Sequence, residues 1–176
     1  LGIPFTELQG MPIEEQERIA TEFGLDQEYF WDELFGIAES QNVSIVLAAG
    51  NETVLSALDP MRRSEKTIKV MAVNQSLKMT NFSNFYPEWS SSNSYISSPG
   101  KDIYSSVPGN TYEVIDGTSM AAPIVTGAIG LMLSVNPDLT IHDVMKILRE
   151  TAKSVNADTP PQLNVENTVK KVRSGL

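Results

Sequence analysis

The sequence predicts an α/β protein with a parallel sheet, on three observations. Two short apolar runs rich in β-branched residues, 43–48 and 67–73, read as buried strands. Helical patterns stand beside them, over about 27–40 and 120–135. Strand and helix therefore alternate, the pattern of parallel strands joined by helical crossovers.

The elements follow in order. Residues 3–27 read as irregular and acidic, with a helix start at Pro12 because acids follow it (Ile13-Glu-Glu-Gln-Glu17) and favour the positive helix end. Gly24 stops that helix. The next, over about 27–40, carries Phe30, Leu34, Ile37 and Ala38 on one face. The strand Val43–Ala48 ends in the turn residues Ala49-Gly50-Asn51. Asp59-Pro60 places a loop before the strand Thr67–Val73, since proline cannot donate to a ladder. From Asn74 to Asn110 the chain is rich in Ser, Asn, Pro and Gly, which predicts loops with brief strands, one at Ile103-Tyr104. Thr111–Ile115 is a further strand. Met120–Val135 is apolar or small all round, which predicts a helix buried on every side. Its Gly127 and Gly130 then imply close packing of another backbone, and Pro123 falls in its first turn. Thr140 and Asp143 form a capping box for a helix over about 141–153. Asn164 caps a last one carrying Val165, Val169 and Val172.

The bulk numbers narrow the function. The 176 residues suffice for one core, and 41% hydrophobic with 20% charged residues is ordinary for a globular domain. No apolar run approaches the roughly 18 residues that cross a bilayer, so no membrane segment is expected. Without Cys, disulfides and thiolate metal sites are excluded. Residues 1–40 hold ten acids and one base, while residues 41–176 hold twelve of each, so the net charge of −9 sits in the first segment. Such a balance argues against nucleic acid as a partner. The opening Leu1-Gly-Ile-Pro-Phe5 has no basic leader, and the chain reads as a piece of something longer.

Two strings carry chemistry. Gly117-Thr-Ser-Met-Ala-Ala-Pro123 stands at the head of the apolar helix. A serine there faces free amide hydrogens that can hold a developing oxyanion, provided a base takes its proton. Gly117 lets a substrate backbone approach. The bland alternative is that Thr118 or Ser119 only caps the helix. Ala48-Ala49-Gly50-Asn51 ends a buried strand, where an Asn side chain can donate into a cleft. Its bland alternative is a turn asparagine.

Together, in this chain order, the two strings resemble the subtilisin-like serine proteases (subtilases). The likeness continues through Lys69-Val-Met-Ala-Val73, Phe82-Ser-Asn84, Ser98-Pro-Gly100, Asn136-Pro-Asp-Leu-Thr140 and Leu163-Asn-Val165, from about residue 43 to 170. The resemblance implies a three-layer α/β/α fold with a mostly parallel sheet, of which this chain is the C-terminal portion. Residues 1–176 are then a single partial catalytic domain, with 3–40 an acidic helical insertion or connection. It implies Ser119 as nucleophile, and Asn51 with the Ser119 amide as oxyanion hole. Ala48, Ala49, Gly50, Gly117 and Thr118 would line the substrate. Leu1-Gly2 would end a strand that pairs with bound peptide. It implies a polypeptide substrate, the missing N-terminal half of the protease domain as a partner, and a secreted or cell-envelope setting. No cofactor is evident in this chain, and calcium is left open for the parent.

In that family Asp and His precede the serine, and neither precedes it here in family context. The single histidine, His142, lies in a surface helix after the serine, out of reach of a general base's task. The chain is thus expected to be inactive alone, and to self-associate through surfaces that the missing half would cover. The rival reading is a catalytically dead subtilase-like module used for binding or scaffolding. An α/β-hydrolase elbow is excluded because Ala121 stands where its second glycine would be.

Overall fold

The computed structural model describes residues 2–86, 94–154 and 159–175. Its centre is a parallel sheet of three strands in the order β1-β2-β3: β1 (Val46–Ala48), β2 (Ile68–Val73) and β3 (Tyr95–Pro99). Val46 stands opposite Ile68 and Lys69 opposite Tyr95. The β-branched run of β2 is buried along its whole length, as a strand covered on both faces must be. An antiparallel hairpin follows, β4 (Ile103–Val107) and β5 (Thr111–Ile115). It is largely exposed, with Tyr104 stacked on Tyr112.

One face of the sheet carries the main core. Ile68, Val70, Ala72 and Ile96 pack against α4 (Thr118–Val135), α5 (Ile141–Thr151) and α6 (Val165–Arg173). Each fully buried aliphatic side chain there contributes about 1.5–3 kcal/mol. Both sequence-predicted caps form: Thr140 and Asp143 make the reciprocal box of α5, and Asn164 accepts from the Asn167 amide at the head of α6. Lys69, Met71 and Tyr95 face the opposite way.

On that side residues 3–40 are more regular than their composition suggests. They form three helices, α1 (Phe5–Gln9), α2 (Ile13–Glu22) and α3 (Leu25–Ser40). Leu8, Ile19 and Ala20 make a second small core with Val54, Leu55 and Leu58. Polar stitches join the two stretches: Gln16 accepts from the Leu55 amide, Glu28 pairs with Arg63, and Asp32 binds Ser64 and Lys66. Several acids therefore bind named partners instead of forming a bare acidic face.

Four expectations change. The face of α3 that packs is that of Phe35, with Trp31 stacked on it, whereas Phe30, Leu34 and Ile37 stay exposed. The reason is the anchorage of Glu28 and Asp32, which turns the predicted apolar face outward. Helix α4 is not buried all round: Leu131 is 49% exposed, and a Cβ on Gly127 or Gly130 would meet no described atom within 4 Å outside the helix's own backbone. Because α4 starts at Thr118, Pro123 lies inside the helix rather than in its first turn. The Ser119 carbonyl thereby loses the i+4 amide it would otherwise accept from. Finally, α4 has 18 residues at a mean hydropathy of 1.6, enough by length and composition to cross a membrane. In this fold it is the helix that covers the sheet.

Candidate active site

Asn51 and the head of α4 are drawn together by hydrogen bonds across 67 residues of chain. The Asn51 side-chain oxygen accepts from the Thr118 amide at 2.9 Å and from the Thr118 hydroxyl at 3.0 Å. The same hydroxyl accepts from the Gly50 amide at 3.1 Å. An amide N–H can only donate, so the bond from Thr118 fixes which end of the Asn51 carboxamide is oxygen. Its NH2 end is left as a donor with no protein acceptor among the described residues, and it lies near Gly117. The Ser119 amide, at the second position of α4, is likewise without an acceptor there. The Ser119 side chain is exposed. Two unspent donors and an exposed hydroxyl thus meet at one helix N-terminus, which also carries the positive end of the helix dipole.

The loop that carries Asn51 is held from below. Gly50 has φ 108°, and a Cβ there would come within 2.3 Å of the Asn84 side-chain nitrogen. Asn84 is buried and spends its groups on this loop. Its amide donates to the Gly50 carbonyl, its Oδ1 accepts from the Glu52 and Val54 amides, and its Nδ2 donates to the Glu52 carboxylate. That carboxylate also accepts from the Asn51 amide at 2.9 Å. At the other wall Gly100 allows close approach, because a Cβ would lie 2.6 Å from Ala72 and 2.7 Å from the Gly117 carbonyl. The Gly117 amide donates to the Gly100 carbonyl at 2.8 Å.

The residues expected at a substrate wall are placed as follows. Ala49 and Gly50 are buried and Ala48 is half-buried. The Ala48 carbonyl accepts from Arg62, that of Ala49 from the Ser56 hydroxyl and that of Gly50 from the Asn84 amide. Gly117 is buried, and Thr118 is fully so, its hydroxyl committed to Asn51 and Gly50. Gly2 is exposed, has φ 71° and belongs to no strand, while Leu1 lies outside the described residues. The sequence reading passed over Glu52, and it quoted Asn84 only within a likeness. The string Phe82-Ser-Asn84, in a turn with Phe82 half-buried, was the available signal. Its use as a knot depends on contacts 30 residues away.

No side chain among the described residues stands beside Ser119 as a base. His142 has its side chain 77% exposed and lies 3.2 Å from Glu39. Nor do three or more His, Cys, Asp or Glu side chains converge to hold a metal ion among the described residues.

A serine heads the helix that covers a parallel sheet, and an asparagine from the neighbouring strand end is bonded to that helix head, in an α/β architecture. Residues 23–170 match the subtilase family, peptidase S8, and the chain belongs to it. Subtilisin NAT of Bacillus subtilis subsp. natto is 37% identical over 118 residues, 65% of this chain and 30% of its own length. Subtilisin DY of Bacillus licheniformis is 32% identical over 121 residues, 67% of this chain and 42% of its own. The self-cleaved protease domain of PatA superposes with a TM-score of 0.67 at 28% identity, covering 82% of this chain and 55% of that one. The chain thus spans 30 to 42% of the length of these two curated relatives.

Proposed function

We infer that this chain is the C-terminal part of a subtilase catalytic domain, residues 1–176 forming one partial domain, whose parent is a serine endopeptidase. In this reading Ser119 attacks the peptide carbonyl and forms an acyl-enzyme. Asn51 Nδ2 and the Ser119 amide hold the oxyanion. The observation that carries it is the pair of bonds from Thr118 to Asn51, which leaves the carboxamide NH2 unspent near Gly117, two residues before Ser119. The base and its orienting acid come from the missing N-terminal half, which is the partner this chain needs, so the chain alone is inactive.

Incubation with casein or a fluorogenic peptide tests this. The full-length protein should turn over and the 176-residue chain should not. Turnover by the chain that disappears in Ser119→Ala would sink the second half of the reading. A full-length protein with no turnover, yet with specific peptide binding, would favour the catalytically dead binding module. In the active parent, Asn51→Ala should lower kcat with little change in KM, because the donor meets the oxyanion mainly in the transition state. The expected size, about 3 kcal/mol, is that known for removing one side-chain oxyanion donor in a subtilisin.

A further inference from the structure

Two residues flanking Asn51 and Glu52 have positive φ, Gly50 at 108° and Thr53 at 58°. Glycine takes such a backbone freely, whereas a β-branched threonine does not, so something has to hold Thr53 there. The hold comes from Asn84, whose side chain is buried. Its Oδ1 accepts from the amides on either side of Thr53, Glu52 at 2.8 Å and Val54 at 3.2 Å. Its Nδ2 donates at 2.9 Å to Glu52 Oε2, the oxygen that also accepts from the Asn51 amide. Its backbone amide donates to the Gly50 carbonyl. The segment that carries Asn84 is itself seated on β2, where Ser83 Oγ accepts from the Ala72 amide and the Ala72 carbonyl accepts from the Thr80 amide. Asn84 thus grips the chain before and after Asn51, and among the described residues it makes no hydrogen bond to the Asn51 carboxamide or to Ser119.

We propose that Asn84 is a positioning residue for the oxyanion donor: it holds loop 50–54 in the strained path that lets Asn51 reach Thr118 with its oxygen and keep Nδ2 free. This rests on the protease reading, because it needs an oxyanion at Ser119. The loop is fixed at both ends, by the Ala49 amide on the Val70 carbonyl and the Leu55 amide on Gln16. Relaxation of Thr53 toward negative φ therefore has to be absorbed within 50–54, where Asn51 lies. A misplacement of about 1 Å at a catalytic group lowers rate by up to about a hundredfold. The effect of Asn84 passes through Asn51 and falls on kcat.

The test uses the full-length protein and a fluorophosphonate probe that labels Ser119 and counts competent sites, so that kcat per labelled site is separated from loss of folded protein. Asn84→Ala should lower that kcat by about 10- to 100-fold with little change in KM. In an Asn51→Ala background the same substitution should have almost no further effect, because the donor it aims is gone. An unchanged kcat per site, or losses at Asn84 and Asn51 that simply multiply, overturns the proposal. Where Asn84→Ala does not fold, the isosteric Asn84→Asp decides. It keeps both acceptor bonds around Thr53 but sets a carboxylate against Glu52, so kcat should fall. Adding Glu52→Gln returns a donor between the two side chains and should restore it, and no recovery overturns the proposal. A full-length protein without turnover sinks the protease reading instead. Hydrogen exchange at the Glu52 and Val54 amides then decides the hold: protection lost in the Asn84 variant supports it, and protection unchanged overturns it.

Discussion

Helix α4 has two sides that differ in kind. On one, Ala121, Val125, Ile129 and Met132 are packed against the sheet. On the other, Gly127, Gly130 and Leu131 are open. The sheet repeats the contrast at its edges. Beyond β3 the segment 159–163 closes the ladder: Ser97 donates to the Pro161 carbonyl and accepts from the Leu163 amide. Beyond β1 no described residue pairs, and all three β1 residues are only half-buried. Glycine costs helix stability relative to alanine, and among the described residues nothing outside the helix's own backbone uses the space that Gly127 and Gly130 leave. The finished side is made by parts that lie within this chain. The bare side has the composition of a packing surface, and its partner is proposed to be the missing half.

The largest effect expected from testing this contrast lies on the finished side. At Gly50 both the positive φ and the 2.3 Å approach of Asn84 forbid a side chain. Gly50→Ala should cost about 3 kcal/mol or more, adding backbone strain to overpacking. Gly100→Ala should behave similarly, because the atoms it meets are Ala72 and the Gly117 carbonyl rather than a flexible side chain. Urea denaturation of each variant measures this. A loss below 1 kcal/mol at either site would mean that the Asn51 loop and the head of α4 are not clamped as described.

Next in size is a pH effect in the interior of the sheet. Lys69 is fully buried, donates to the Ser64 carbonyl and to Ser94, and lies 4.6 Å from the centre of the Tyr95 ring. Burial pushes its ammonium down to about 8, against a smaller opposing pull from Glu65. Its folded value is thus below its unfolded value near 10.4, so between pH 8 and 10 the unfolded chain holds more protons and stability rises with pH. The gain saturates at on the order of 3 kcal/mol. Burial raises the Tyr95 hydroxyl, so above pH 10 its ionisation on unfolding pulls stability back down. Lys69→Met should flatten the rise from pH 8 to 10. An unchanged slope in that variant would place the titration elsewhere.

The contrast also explains what could be read from sequence. Strand β5, the capping box of α5 and the Asn164 cap of α6 depend on neighbours within a few residues, and they form as expected. Asn51 and Ser119 stood out because their motifs are local strings. What failed depended on partners far along the chain or outside it. The covered face of α3 follows from Arg63, Ser64 and Lys66, which hydropathy on α3 does not register. The roles of Asn84 and Glu52 arise from a loop closed over 32 residues. Gly127 and Gly130 suggest close packing by composition, whereas among the described residues nothing outside the helix's own backbone lies within 4 Å of a Cβ built on either.

A smaller effect concerns the open edge of β1. An unpaired strand edge invites another strand, and the exposed Phe30, Leu34 and Ile37 on α3 add apolar surface. The isolated chain should self-associate, and light scattering over a concentration series should show mass rising with concentration. Leu47→Lys, placing a charge on that edge, should shift the series toward monomer. A monomer at every concentration, with no binding of a dye for exposed apolar surface, would mean that these surfaces are less available than their exposure suggests.

The smallest effect has the opposite sign to the first. Gly127→Ala and Gly130→Ala add a methyl group where, outside the helix's own backbone, no described heavy atom lies within 4 Å. In the isolated chain each should stabilise by about 0.5–1 kcal/mol, through lower backbone entropy in the unfolded state and better helix propensity. In the full-length protein the same substitutions should destabilise, if the missing half packs its backbone against this side of α4. Thermal unfolding of both variants in both lengths forms a four-way comparison in which the sign carries the answer. Stabilisation in both lengths would mean that nothing packs closely on these glycines even in the whole protein. Destabilisation in the isolated chain would mean that this side of α4 is already occupied within it.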